Sequence, residues 1–429
     1  MSFSRLLALG CAFAASLLCA GQPPAVRIAP TPNGGYQLLR DGKPYFIKGG
    51  GRRYLDQLVA AGGNSIRTYG AGDDLDSLHK LGVTVQFGLP IGKPRHGFNY
   101  SDPARVASQR EQVLSLVARL KHHPAILLWA LGNESELAAA EPDRLKLWAA
   151  LEDLAKAIRQ IDPHHPVITV LAGTSRLAEV KQHCPSLDAI GINTYAGMLK
   201  LPEALAAAGW EKPYIVTEFG PRGHWEVAKT PWGLPIEDSS TEKADFYLKA
   251  YEHAVKSQPR CLGSYVFLWG QKQEKTHTWY GMFLPDGSPT GAVDSMTYAW
   301  TGKWPANRAP RTGPGKFAIT PLSGATGDEN VFQPGAKLRC KVSASDPDGD
   351  PLKIAWDLRI DVSDNPSQGG DREPDSSPIG GAVLSATGEE AVIQLPQQPG
   401  NYRIFVYAHD PAGKAATANV PIQVRAPSS

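Results

Sequence analysis

The chain has 429 residues, of which 42% are hydrophobic and 20% charged. That is enough apolar material for a large core, and it excludes wholesale disorder. Lys and Arg number 44 against 42 Asp and Glu, a formal net charge of +2, which leaves no electrostatic footprint for nucleic acid or an anionic membrane surface. The length sets a soft expectation of two or three domains. Five cysteines, two of them (Cys11 and Cys19) close to the N-terminus, are too few for a disulfide scaffold.

At the N-terminus Arg5 precedes an apolar stretch from Leu6 to Ala20, then small residues and Gln22-Pro23-Pro24. This is the pattern of a secretory signal peptide over residues 1–21, with cleavage near Ala20 or Gly21. A buried helix is the bland alternative. A lipoprotein signal at Cys19 is disfavoured by Leu17-Leu18, where small residues are wanted. No other stretch approaches the ~20 apolar residues of a membrane span. The expectation is a secreted or periplasmic chain without a membrane span, in which Cys184, Cys261 and Cys340 can form at most one disulfide.

Between Tyr36 and Trp304 a short apolar run, polar punctuation and a stretch of helical period recur. The runs are Tyr45–Lys48, Ser65–Thr68, Val83–Phe87, Ile126–Ala130, Val167–Val170, Ala189–Asn193, Tyr214–Thr217 and Ser264–Leu268. They are continuous rather than alternating, as expected of parallel strands covered on both faces. Between them, Leu147, Leu151, Leu154, Ile158 and Ile161 form one apolar stripe that Pro163 ends. Val113, Leu116, Val117 and Leu120 do the same ahead of Pro124, and Ser239 with Glu242 forms a capping box. Eight such units predict an α/β fold, a (β/α)8 TIM barrel over residues 22–304. A doubly wound open sheet is the runner-up, but the chain shows neither GxGxxG nor a P-loop. Tyr36–Arg40 and Lys43–Ile47 flank Asp41-Gly42, a tight hairpin expected to plug the barrel bottom.

Residues 305–318 are rich in Pro and Gly and are expected to act as a linker. Beyond it, short alternating segments (Lys337–Ser343, Leu352–Leu358, Glu390–Leu395, Tyr402–Ala408, Ala416–Val424) predict a smaller all-β sandwich over residues 319–429. The polar stretch from Asp361 to Pro378 is expected to be a long loop. With the barrel motifs complete before the linker, truncation after Trp304 is expected to leave a folded unit.

Reacting groups in such a barrel lie at strand C-termini. Those ends carry Arg67 after the second strand, Asn133-Glu134 after the fourth, Asn193 and Tyr195 after the sixth, Glu218 after the seventh and Trp269 after the eighth. Two carboxylates on the fourth and seventh strands suit glycoside hydrolysis, in which one protonates the leaving oxygen and the other attacks the anomeric carbon. The 10 Trp, 14 Tyr and 12 Phe are a supply of rings on which sugars stack. His224, Trp225 and Trp232, in the long segment after the seventh strand, together with Tyr69, Phe98 and Tyr100, are expected to wall a sugar cleft. The pairs His122-His123 and His164-His165 each precede a strand and so fall on the stability face, not at a metal site. No metal or cofactor is expected in the barrel. Asp346, Asp348 and Asp350 lack the Gly and distal Glu of an EF-hand, so a turn is the main expectation there and a structural calcium the minor one.

The segments NSIRTY (64–69), WALGNE (129–134), INTY (192–195), IVTEFG (215–220) and FLWG (267–270) resemble the retaining β-glycosidases of clan A, in particular the barrel domain of glycoside hydrolase family 2. The stretch Ser345–Leu352 with Trp356 and Gly400-Asn401-Tyr402 resembles the polycystic-kidney-disease and cadherin-like immunoglobulin modules. The first resemblance implies that Glu134 is the acid/base and Glu218 the nucleophile. It further implies that Asn133 binds the sugar 2-OH, that Tyr195 orients Glu218, and that Trp269 floors the subsite of the reacting sugar. Arg67 beside Glu218 would favour its ionised form. The implied activity is hydrolysis of β-linked O-glycosidic bonds in an extracellular oligo- or polysaccharide, a β-glucan among the candidates. A transglycosylase on the same residues, or a non-catalytic carbohydrate-binding barrel, are the alternatives.

Overall fold

The computed structural model describes residues 25–70, 74–312, 318–323, 330–366 and 373–426. The expected signal segment, with Cys11 and Cys19, lies outside the described residues. Eight parallel strands close into a barrel in the order 7-8-1-2-3-4-5-6. They are β1 (Ile47–Gly50), β2 (Ser65–Arg67), β3 (Thr84–Leu89), β4 (Ile126–Leu131), β5 (Val167–Ala172), β6 (Ala189–Asn193), β7 (Tyr214–Phe219) and β8 (Cys261–Val266). Every residue of β3, β4 and β8 is buried, as their unbroken apolar runs require. The first and last strands differ by a few residues from the reading above. Tyr45 belongs to the plug, from which only Phe46 separates β1, so the two strands read as one apolar run along the chain; β8 starts at Cys261.

The helices follow their stripes. Pro103–Leu120 starts with Asp102 accepting from Ala104 N and Arg105 N and with Pro103 in the first turn. Glu141–Ile161 buries Leu147, Leu151, Leu154 and Ile158, and Ser240–Tyr251 opens with the Ser239/Glu242 capping box. Below the barrel, Val26–Pro30, Tyr36–Arg40 and Lys43–Tyr45 form an antiparallel sheet. Asp41 and Gly42 both have positive φ, 51° and 74°, as the tight turn demands. Val26 and Leu38 of this plug share a core with Ile47, Leu128 and Ile168, so the plug covers the bottom of the barrel. The histidine pairs are on that bottom: His165 Nδ1 donates to Asp162 Oδ2 at 2.8 Å and meets Trp129 edge-on, and His123 pairs with Asp76 at 3.2 Å.

C-terminal to the barrel are two four-stranded sheets. One orders Ala318–Ser323, Lys337–Lys341, Glu390–Gln394 and Val383–Thr387. The other orders Val331–Phe332, Ala415–Val424, Gly400–His409 and Lys353–Ile360. Leu338, Cys340 and Ile393 of the first sheet and Leu358, Ile404 and Ile422 of the second fill one core between them. The strands Ala318–Ser323 and Val383–Thr387 escape the sequence reading, since four of the five residues of the latter are exposed and it carries little alternation.

The linker expectation is corrected. Its described part is bonded to both halves: Ala309 N to Asp294 Oδ2 at 2.6 Å, Thr312 N to Thr241 Oγ1 at 3.0 Å, Arg308 N to Asp348 Oδ2 at 2.6 Å and Asn307 Nδ2 to Asp410 Oδ2 at 2.7 Å. Asp346 Oδ1 accepts from the backbone N–H of Asp348 and Asp350, the turn expected there. Carboxylate oxygens of Asp346, Asp350 and Asp410, rather than Asp348, lie within 4.8 Å of one another. Cys184, Cys261 and Cys340 are buried free thiols, so they form no disulfide. No helix among the described residues is long and apolar enough to cross a membrane.

Candidate active site

Glu134 and Glu218 stand at the top of the barrel and share one hydrogen-bond donor. The Asn193 amide nitrogen, at the end of β6, is 2.8 Å from Glu134 Oε1 and 3.4 Å from Glu218 Oε2. Both distances end on one atom, so these two oxygens are no more than about 6 Å apart. Asn193 is itself oriented through its Oδ1, which accepts from Thr217 Oγ1 at 2.8 Å and Arg67 Nη1 at 3.3 Å.

Backbone geometry aims both acids. After β4, Gly132 has φ 75° and a Cβ there would come within 2.5 Å of Ser135 Oγ and 2.9 Å of Ile91 Cβ, so only glycine fits the turn. Glu134 has φ 50°, a left-handed conformation costly for a side-chain-bearing residue, held by Glu134 N to Val170 O at 2.9 Å. On β7 the register against β6 slips between Val216 and Glu218, which pairs Glu218 with Asn193.

Glu218 is surrounded by donors. Tyr195 Oη donates to Oε1 at 2.6 Å; Arg67 Nη1 and Tyr69 Oη each donate to Oε2 at 3.1 Å. Burial pushes this carboxyl above its ordinary range, and Arg67 pulls it back. The expectation that Arg67 sets the charge of Glu218 is therefore half of a balance whose larger half is desolvation. Arg67 also holds Asn133 through Nη2 to Oδ1, which accepts from Asn193 Nδ2 at 2.9 Å as well. With its oxygen occupied twice, Asn133 has its amide N–H groups left for the cleft, the orientation a sugar hydroxyl requires.

Trp269 is a correction. It is fully buried, donates to Tyr54 O at 3.3 Å and packs on Phe283 and Trp300, so it is core beneath the site and not its floor. The half-buried aromatic at the end of β8 is Phe267, its ring 6.1 Å from Tyr195 and 5.6 Å from Tyr280. In an apolar run two residues from a tryptophan it gave no separate signal. His224 and Trp225 do reach the site: Trp225, 57% exposed, meets Tyr195 edge-on at 5.4 Å, and His224 Nδ1 is 3.1 Å from Tyr280 Oη. Burial lowers His224 to about 4, leaving it neutral. Trp232 sits within the hairpin bridged by Lys229 and Pro235, and among the described residues no hydrogen bond or ring contact ties it to either glutamate. Tyr100 is buried, bonded to Gly92 O at 2.7 Å and packed on Phe98.

Glu136 is a third acid that the motifs did not reveal. It is 5% exposed, accepts from Ala172 N at 2.8 Å, and burial raises it to about 7, with Glu134 adding to the rise and Lys93 opposing it. The folded state thus holds this proton more tightly than the unfolded chain, and stability falls as pH climbs from about 4.5 to about 7 and stays lower above. Glu136→Gln keeps an oxygen for Ala172 and removes the charge. It is expected to stabilise the protein at pH 8, by about 3 kcal/mol at most, and to change little at pH 4. Thermal melts at the two pH values check this; equal shifts at both would refute it.

From Tyr69 and Asn133 a cleft of about 600 Å³ runs over the ends of β3 and β4 to Pro103–Leu120, past Lys93, Phe98 and Arg105. Two carboxylates with one oxygen pair within about 6 Å, at the ends of β4 and β7 of a (β/α)8 barrel, are an arrangement suited to glycoside hydrolysis with retention. Residues 78–228 match the model of glycosyl hydrolases family 2, TIM barrel domain, which bears out the resemblance seen in the motifs. The chain is 29% identical to a β-glucuronidase of Paenibacillus borealis over 43% of its own length and 37% of that protein's. It is 26% identical to β-galactosidase 2 of Enterobacter cloacae over 39% of its length and 14% of that protein's. A Bacteroides uniformis β-glucuronidase 2 structure superposes with a TM-score of 0.51 at 16% identity, covering 94% of this chain and 48% of that one. The chain thus spans less than half the length of these relatives.

Proposed function

We propose that the protein is a retaining glycoside hydrolase that cleaves β-linked O-glycosidic bonds by double displacement. The observation that supports this reading is the single Asn193 amide within hydrogen-bond distance of both glutamates, which keeps one oxygen of each within about 6 Å of the other. Glu218 attacks the anomeric carbon while the glycosidic C–O bond breaks and Glu134 gives its proton to the departing oxygen. Glu134, now a carboxylate, takes a proton from water as that water displaces Glu218 and frees the sugar. Tyr195, Tyr69 and Arg67 hold Glu218 for in-line attack, Asn133 binds the 2-OH, and Phe267 and Trp225 provide aromatic walls. The sandwich is read as an immunoglobulin-like accessory module, and residues 1–21 as the signal that exports the chain to the periplasm or beyond the cell.

The names of the relatives make aryl β-glucuronides and β-galactosides the first substrates to assay, with aryl β-glucosides and β-glucans beside them. Proton NMR of the first product formed tests the mechanism. The β-anomer is expected before mutarotation; the α-anomer first, or no turnover of any member of the panel, would overturn the proposal.

A further inference from the structure

The cleft beside the two glutamates has a chemical character that nothing in the catalytic reading uses. Its described lining contains two cations, Lys93 and Arg105, and no Asp or Glu. Lys93 is half-buried, and among the described residues its ammonium has no hydrogen-bond or ion-pair partner. Its backbone is nonetheless fixed: Lys93 O accepts from His96 N at 2.9 Å and from Phe98 N at 3.2 Å. Next to it Gly92 N donates to Gln109 Oε1 at 2.6 Å, and a Cβ at Gly92 would collide with the Phe98 ring. A partly desolvated ammonium on a rigid turn, with no partner of its own, is placed for an external anion. It is close enough to the reacting centre to feel the charges of Glu134 and Glu136. The Arg105 side chain donates to Gly97 O at 3.3 Å and forms an exposed ion pair with Asp102 at 3.6 Å, which leaves guanidinium N–H groups without a partner among the described residues. The Phe98 ring adds an apolar wall, and Gln112 and Ser108 add neutral polar groups. The net charge of the whole chain is only +2, so this is a local concentration and not a general basicity.

We infer that this cleft binds an anionic sugar unit, bearing a carboxylate or a sulfate ester, next to the sugar whose bond is cleaved, with Lys93 and Arg105 as its cationic contacts. The inference rests on the glycosidase reading and narrows its substrate class to acidic glycans.

The test uses the full chain and three β-linked trisaccharides that are identical except at C6 of one outer unit, which carries a hydroxymethyl, a carboxylate or a 6-O-sulfate. At low salt kcat/KM for an anionic trisaccharide is expected to exceed that for the neutral one by about tenfold or more, and the ratio should narrow as ionic strength rises. Lys93→Met and Arg105→Met should each bring the ratio towards unity, with the neutral trisaccharide reporting folding and chemistry in the same preparation. Whether carboxylate or sulfate gains more identifies the source of the charge. A wild-type ratio near or below unity, or a ratio unchanged in both variants, overturns the inference. An equal fall on neutral and anionic substrates would mean that Lys93 only tunes Glu134 and would overturn it too. If no substrate turns over, the glycosidase reading fails, and calorimetric titration of the same trisaccharides decides the inference alone: tighter anionic binding that Lys93→Met removes supports it, and equal binding overturns it.

Discussion

Glu218→Ala is expected to lower kcat/KM by roughly 10⁵-fold on every β-glycoside, whatever its leaving group, because the attacking atom itself is gone. Glu134→Ala should behave differently. It removes only proton donation and, later, activation of water, which together are worth about 10²–10⁴-fold. A dinitrophenolate hardly needs that proton, so its glycosylation step should survive far better than that of a natural glycoside, and the variant should stall as a glycosyl-enzyme on Glu218. Azide needs no general base and should release the β-glycosyl azide. With Glu218→Ala, azide can only attack the substrate directly and should give the α-anomer. Product stereochemistry is the readout, and exchanged anomers would mean that the two roles are reversed. The donors around each acid favour the stated assignment: four reach Glu218, whereas the Asn193 amide is the side-chain donor that reaches Glu134.

Truncation after Trp304 is expected to abolish activity on aryl glycosides as well as on polymers, the opposite of what a Pro/Gly-rich linker suggests. The second sheet and the loop that follows its strand Lys353–Ile360 lie directly on the segment that follows β8. Glu373 accepts from Lys275 N, and His277 Nε2 is 2.8 Å from Tyr407 Oη with its ring 4.5 Å from Phe405. Thr276 and Thr278 bond to the buried Glu237 at 2.7 and 2.8 Å, and Arg403, 1% exposed, donates to Pro235 O at 3.0 Å. Two residues further on, Trp279 Nε1 donates to Arg222 O at 3.0 Å, and the Tyr280 ring lies 5.7 Å from Tyr195, which holds Glu218. Removing the sandwich leaves Lys275 and His277 without these partners, takes Ala309 N and Lys414 Nζ from Asp294, and uncovers apolar surface, each loss costing about 1–3 kcal/mol. Soluble expression, circular dichroism and aryl-glycoside turnover of residues 22–304 check this. A folded, active fragment would show that the two halves are energetically independent.

The barrel was legible because its determinants are local. Continuous apolar runs, the stripe from Leu147 to Ile161 and the Ser239/Glu242 box each act within one element, and a parallel barrel repeats them eight times. The two glutamates were legible for the same reason, since a position at a strand end can be read along the chain. What the chain could not reveal depends on contacts between distant residues. The chain places Asn193 at a strand end, and only closure of the barrel shows that its amide is shared by Glu134, 59 residues away, and Glu218, 25 away. Trp269 and Phe267 alternate at the end of β8, and composition could not say which of the two faces the cleft. Closure turned Trp269 towards Trp300 and left Phe267 near Tyr195. The 305–318 segment has the composition of a tether, but flexibility also depends on what the segment meets, and Asp294, Thr241, Asp348 and Asp410 are brought to it from both sides. Local periodicity and strand-end chemistry thus determined the barrel and its two acids. The hydrogen-bond geometry between them, the buried aromatic below and the grip of the second sheet on the β8 segment were decided by tertiary packing, because each needs partners that no short window of sequence contains.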